Sequence, residues 1–421
     1  MRQFAIAVLI AALPVALQAD DNWPGFRGPT GMGQSDAKNL PTSWGGKNGD
    51  NVLWKVPLPH KVAGAKPDHN QSSPIVWGEH VFVTTSFWPQ GTMQKEFPEH
   101  HVTCFAAKDG KQLWDVKIEP GPWLLTDLRG GYTAPTPATD GQRVYALFGS
   151  GSIAALDLEG NILWRKEIPS PQLFDVAIGT SPVIYQGTVL VLCDKVQKGS
   201  HFLALDAKSG ETKWDVKRPS VQFDHTTPVL AKVNGKDQLL IGAGGELQGV
   251  DPADGRVLWF AKNDGDVPRP VQSEGLVYCD SGRGGGIGIA VDPTGTGDVT
   301  KTHVRWKTDK KIASLGSPVV SGEYLYRLRD PGLLTCYKMS TGEVVFEERV
   351  QGIPTTPSPF TTADGRIYFA SAGRSLVIRA GATYEALGNS DLGEDNGSSA
   401  AAGGGSIFLK SRDHLFCIGK R

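Results

Sequence analysis

Charged side chains recur at corresponding loop positions along this chain: Arg129, Asp175, Asp194 with Lys195, Asp224 with His225, Arg269, Arg283, Arg329 with Asp330, Arg374 and Arg412. A guanidinium is a planar, permanently charged fork that fits the edges of carboxylates and phosphates. A mixed-charge set with an arginine bias therefore predicts binding of a small acidic ligand or of a partner's acidic loop. No nucleophile–base pairing accompanies it, so the chain is expected to bind and not to catalyse. His100 and His101 are adjacent and would face opposite sides of a strand, which rules out joint metal ligation. No H-x-H, H-E-x-x-H or Cys/His spacing points to a metal. Asp292–Asp298 has the composition of a calcium loop but reads as an elongated turn. The glycine-rich run 282–288 leads into a strand, not a helix, so a phosphate cradle at a helix N-terminus is not indicated.

Positioning these residues is the work of a repeat. Trp54, Trp114, Trp164, Trp214, Trp259 and Trp306 close similar phrases, such as KSGETKW (208–214) and ADGRVLW (253–259), and Phe346 closes the next one. Short Ser/Thr/Pro phrases open eight units, from SSP (72–74) to SSA (398–400). Within a unit the apolar runs are short and separated by glycine turns; in the sixth they are Val319–Val320, Tyr324–Leu328, Leu334–Tyr337 and Glu343–Phe346. Four strands per unit, repeated eight times, predict an all-β, eight-bladed β-propeller. The last unit lacks a fourth strand and the segment 51–58 is a fourth strand without a unit, so the two are expected to join and close the ring. The loops leading into each blade, and those between its second and third strands, would gather the charged residues on one face. A long loop, Phe87–His100, adds Phe87, Trp88 and Phe97 as a further contact surface, and with the arginines it leaves glycan binding as another alternative.

Abundant glycine (52) and proline (28) fit a protein of strands and turns. With 43 basic and 44 acidic residues there is no excess positive charge, which argues against nucleic acid as a partner. The N-terminus reads as a secretory signal: Arg2, an apolar run Phe4–Leu13, a break at Pro14 and a small residue at Ala19. No cysteine follows it to take a lipid. Export to the periplasm or beyond is expected, with residues 1–19 as signal peptide, 20–50 as an N-terminal arm and 51–421 as the propeller. The five cysteines fall singly, without C-x-x-C. Cys104, Cys336 and Cys417 share a third-strand position with Ala155, Ala204, Gly249 and Ala290, so they read as small core residues and not as a disulfide framework.

The phrases LALDAKSGETKW (203–214) and GVDPADGRVLW (249–259) resemble the tryptophan-docking repeat of the pyrroloquinoline-quinone (PQQ)-like propellers, over roughly residues 50–421. That resemblance implies that the docking tryptophan of one blade stacks on the next. It also sets out the functional choices, since the family holds quinoprotein alcohol dehydrogenases, the propeller lipoprotein of the outer-membrane barrel-assembly machinery, and exported proteins sharing an opening like DNWPGFRGPTGMG (21–33). A quinoprotein requires a stacking platform, a calcium ion and a carboxylate base. The adjacent cysteines common beside that cofactor are missing here, and Trp123 offers a lone ring in a loop. The expected function is thus a non-catalytic binding or scaffolding propeller without a cofactor or metal. It would be a monomer, with an envelope protein or a small acidic ligand as partner. A PQQ- and calcium-dependent dehydrogenase of alcohols or sugars is the alternative.

Overall fold

The computed structural model describes residues 21–125, 128, 130–169, 178–194, 200–218, 225–243, 245–263, 268–281, 286–308, 315–395 and 397–420. Eight small sheets form the ring. Blade one runs from Ile75–Trp77 to Gln112–Ile118, blade two from Ala138–Thr139 to Ile162–Glu167, blade three from Val183–Tyr185 to Thr212–Arg218 and blade four from Val229–Val233 to Val257–Lys262. Blade five runs from Val271–Ser273 to Val304–Lys307, blade six from Val319–Ser321 to Val344–Arg349, and blade seven from Phe360–Thr362 to Ala386–Asp391. Blade eight combines Ala401–Gly403, Ser406–Lys410 and His414–Ile418 with Val52–Pro57 from the start of the propeller, so the ring closes through an N-terminal strand as expected. Among the described residues the one α-helix is Pro59–Val62, and no helix is long and apolar enough to cross a membrane.

The repeat has a clear register. Each docking ring lies directly across the sheet from the small third-strand residue: Trp114 from Cys104, Trp164 from Ala155, Trp214 from Ala204, Trp259 from Gly249, Trp306 from Ala290, Phe346 from Cys336 and Trp54 from Cys417. A bulky residue opposite the ring would force blades apart in an interior packed near crystal density. Cysteine fits there as a small apolar side chain, and all five cysteines are buried thiols. Cys193 and Cys279 end second strands.

Docking itself is a contact between neighbouring blades. The Nε1 of Trp54, Trp114, Trp164 and Trp306 donates to the carbonyls of Ala107, Leu158, Ala207 and Met339 in the next blade, at 2.8–3.1 Å. Beneath each ring lies the turn glycine of that next blade. Gly110, Gly160, Gly210, Gly255 and Gly342 have positive φ, and a Cβ there would stand 2.5–2.9 Å from the ring above. Glycine is therefore demanded twice, by conformation and by contact. Phe346 instead packs on Tyr384 of blade seven. Trp259 differs as well. Its Nε1 bonds to Gln238 Oε1 in its own blade, because the elongated turn of blade five folds over and pairs Gly297–Asp298 in parallel along Trp259–Phe260.

The N-terminal arm crosses the ring at the end of the channel where first strands turn into second strands. Asp21 and Asn22 cap the turns of blades eight and one, and Trp23 forms a bridge with Val76. Gln34–Ser35 then adds a parallel strand to the inner edge of blade seven. Trp23 is buried edge-on against Phe360, and Trp44 is also buried.

Candidate functional site

The segments leading into the blades line a central channel of about 480 Å³, in whose wall Ser, Thr and Gly are the commonest residues, with Phe26, Leu315 and Pro357 among the apolar ones. A belt of hydrogen bonds runs through these segments. Backbone N–H groups of Ser73, Thr136 and Ser181 donate to the hydroxyls of Thr136, Ser181 and Thr227, each in the following blade. Arg269, Ser317 and Ser358 donate in the same way to Ser317, Ser358 and Ser399. The second residue of every opening phrase in these links is Ser or Thr because a short side chain with an acceptor oxygen must reach one blade across. Arg269 is the exception, and its side chain reaches back toward blade four. There it donates to the carbonyls of Thr227 and Pro228, and at 2.5 Å to Phe26 of the arm.

Phe26 lines the channel, with the Arg269 guanidinium 5.3 Å from the centre of its ring. Arg27 on the same arm donates to the carbonyls of Met32 and Pro318. Burial lowers the Arg27 pKa to about 9 and, with the nearby Arg27 charge, holds Arg269 well below the usual arginine range. The two arginines thus stitch the arm to blades four and six from inside the protein.

Further from the axis, under the opposite face, buried polar bridges join neighbouring blades. Lys410 of blade eight donates to Ser72 Oγ and the Thr84 carbonyl of blade one, and burial pushes its pKa down to about 7. His100 lies between Ser86 Oγ and Ser150 Oγ and stacks on Phe148; burial brings it down to about 3, so the ring is neutral. Asp68, raised by burial, accepts from the Tyr132 backbone. Arg218 grips Asp194 and reaches Gln248 of blade four; burial raises Asp194 against the pull of Arg218. Arg327 of blade six clasps Asp280 of blade five.

The residues expected on the loop face divide. Arg129, Asp175, Lys195, Asp224 and Arg283 lie outside the described residues. His225 reaches the channel wall, its ring against Gly179. Arg269 is buried and turned toward the arm, and Arg329 is buried on Thr335 and Glu347. Arg374 is exposed, 3.4 Å from Asp391, beside a groove of about 580 Å³ between the arm and blade seven. Arg412 is exposed next to Asp413. These described side chains do not meet in one funnel, since a long side chain on a blade's inner segments is drawn into the seams. The aromatic loop is also revised: Phe87 and Trp88 belong to the strand His80–Trp88 and are buried, leaving Phe97 at the surface. Buried Lys410, Asp280 and Arg327 carry no repeat signature, though each unit's fixed register could have flagged them as charges at core positions; buried Arg27 lies in the arm, outside any unit.

A quinone would need a flat ring to stack on and a cluster of metal ligands. Among the described residues the rings lining the channel are Phe26 and His225, and no carboxylate lines it. No group of three His, Cys, Asp or Glu among them is placed to hold a metal. Trp123 packs against Gly151 away from the lining. The described residues do not fit the group.

Comparison with known proteins accords with the propeller fold. The family model described as outer membrane protein assembly factor BamB matches residues 42–192, 98–348 and 290–401. BamB of Moranella endobia (strain PCIT) is 30% identical over 151 residues, 35% of this chain and 34% of that protein. Methanol dehydrogenase [cytochrome c] subunit 1 of Methylobacterium organophilum is 26% identical over 144 residues, 32% of this chain and 23% of its own length. The matches thus span about a third or less of these relatives. Among solved structures, BamB from Moraxella catarrhalis superposes with a TM-score of 0.60 at 14% identity, covering 88% of this chain and 97% of that one. A europium-containing methanol dehydrogenase gives 0.68 at 13% identity, covering 93% and 90%. At such identities the likeness is one of fold.

Proposed function

We propose that this chain, which belongs to the outer membrane protein assembly factor BamB family, is an exported, non-catalytic binding or scaffolding propeller. Its loop face, at the end of the channel away from the turns that Asp21 and Asn22 cap, takes a small acidic ligand or the acidic loop of an envelope protein. The observation that supports this most is the tier of buried polar bridges beneath that face: Lys410, His100, Arg218 and Arg327 each tie one blade to its neighbour. Such cross-links hold loops from different blades in fixed relation, and preorganisation of that kind lowers the ordering cost of binding. Exposed Arg374 and Arg412, beside Asp391 and Asp413, are the guanidiniums such a partner would meet. Surface arginines speed encounter with an acidic partner and make it salt-dependent.

The test is a titration of a fluorescent, glutamate-rich peptide into the protein and into an Arg374→Glu/Arg412→Glu variant. Weaker binding by the variant and at higher salt is expected; indifference to both would refute the reading. The alternative, a PQQ-dependent dehydrogenase, draws on the methanol dehydrogenase relative. It is checked by adding PQQ and calcium and following dye reduction with alcohols and sugars. Saturable quinone binding with turnover would replace the binding reading.

A further inference from the structure

The seam between blades five and six holds more guanidinium than its buried carboxylate can satisfy. The strand Tyr324–Arg329 places Arg327 and Arg329 two residues apart on one face, and both side chains are fully buried. Arg327 uses Nε and Nη2 on Asp280. Arg329 uses Nη2 on Thr335 Oγ1 at 2.7 Å, with Glu347 at 3.5 Å. Among the described residues, Arg327 Nη1 and both Nε and Nη1 of Arg329 then have no hydrogen-bond partner. Across the seam, Tyr278 OH has none among them either.

The seam between blades three and four shows what a saturated arrangement looks like. There Arg218 directs Nε and Nη2 at Asp194 and Nη1 at Gln248, and no atom of its guanidinium is left over. A buried donor without an acceptor costs about 1–3 kcal/mol, and more when it is charged. Four unmet groups on the facing sides of one seam, three of them cationic nitrogens, call for an acceptor-rich anion. A cation or a neutral apolar group would leave them unmet.

We propose that this seam is an oxyanion site, in which Arg327, Arg329 and Tyr278 donate to the oxygens of a carboxylate, phosphate or sulfate group. The inference rests on the acidic-ligand reading and gives that ligand's anionic group a place. Charge-assisted bonds from two guanidiniums are roughly twice as strong as neutral ones, so the arginines supply most of the affinity and the Tyr278 hydroxyl tunes it.

The experiment is calorimetric titration of the full chain with inorganic phosphate, sulfate and acetate at constant ionic strength. Arg329→Gln, Tyr278→Phe and the outer-strand control Arg305→Gln are titrated alongside. Saturable binding is expected. It should weaken about tenfold or more in Arg329→Gln and a few-fold in Tyr278→Phe, and be unchanged in Arg305→Gln. The tighter of the phosphate and acetate arms identifies the group. Tyr278→Phe keeps the ring in place and so serves if Arg329→Gln does not fold. No saturable binding by the unaltered protein, or equal binding by the seam variants, overturns the proposal. Peptide binding without inorganic-anion binding would sink the seam site alone, and the reverse outcome would sink the loop-face reading alone.

Discussion

Trp54 sits directly opposite Cys417 across the last sheet, 363 positions away in sequence, and its Nε1 donates at 3.0 Å to the Ala107 carbonyl of blade one. One residue therefore completes blade eight and docks it to its neighbour. A ring closed in this way has no unpaired end blade. Deleting residues 51–58 should lower the melting temperature sharply, and Trp54→Ala should cost about 3 kcal/mol, as large aromatic truncations do. Thermal and urea unfolding check both. Unchanged melting of the deletion variant would remove closure from the account.

The turn glycines allow contact and conformation to be separated. Gly342 has φ 76° and lies under the Trp306 ring, whereas Gly322 has φ 58° and open space around it. Both alanine variants carry the left-handed penalty, about 1–2 kcal/mol. Gly342→Ala must also displace the ring, so it should be the more destabilised by a further 1–3 kcal/mol or so. Equal losses on urea unfolding would show that the ring contact contributes nothing.

Much of this was legible beforehand because a repeat multiplies every signal. The Trp–small-residue pairs, the Ser/Thr opening phrases and the orphan strand at 51–58 each recur or close a pattern, and the register followed from them. Function lies where the repeat breaks, and single exceptions have no second copy to interpret them. Arg269 stands where other units have Ser or Thr, and its position alone does not tell that the side chain would reach back to Phe26. Arg329 reads as a loop charge at the end of an apolar run, yet its side chain is fully buried in a seam. Phe87 and Trp88 read as loop aromatics because the strand His80–Trp88 is longer than in other units.

Arg269→Ser offers a direct test of the arm. The substitution restores a hydroxyl to the opening phrase while removing the donors to Phe26, Thr227 and Pro228. The propeller should stay folded, and proteolysis within residues 21–33 should quicken several-fold. A cleavage rate equal to that of the parent protein would mean that the arm is held without Arg269.

Lys410 should leave a trace in the pH dependence of stability. Its pKa is pushed down to about 7 by burial, against roughly 10.4 in an unfolded chain. Between these values the unfolded state holds the proton and the folded state releases it, so stability contributed at this site rises with pH from about 7 to about 10. Below pH 7 both states are protonated and the penalty is fully present. Lys410→Met should flatten this part of the profile; an identical slope in the variant would contradict the assignment.

Binding of an acidic partner at the loop face can be measured in solution. Anisotropy titration of a glutamate-rich peptide against the protein and its Arg374→Glu/Arg412→Glu variant tests it most directly. Saturable binding is expected, weakening with salt and falling about tenfold or more on charge reversal. Absence of binding, or equal affinity in the reversed variant at every salt concentration, would contradict it.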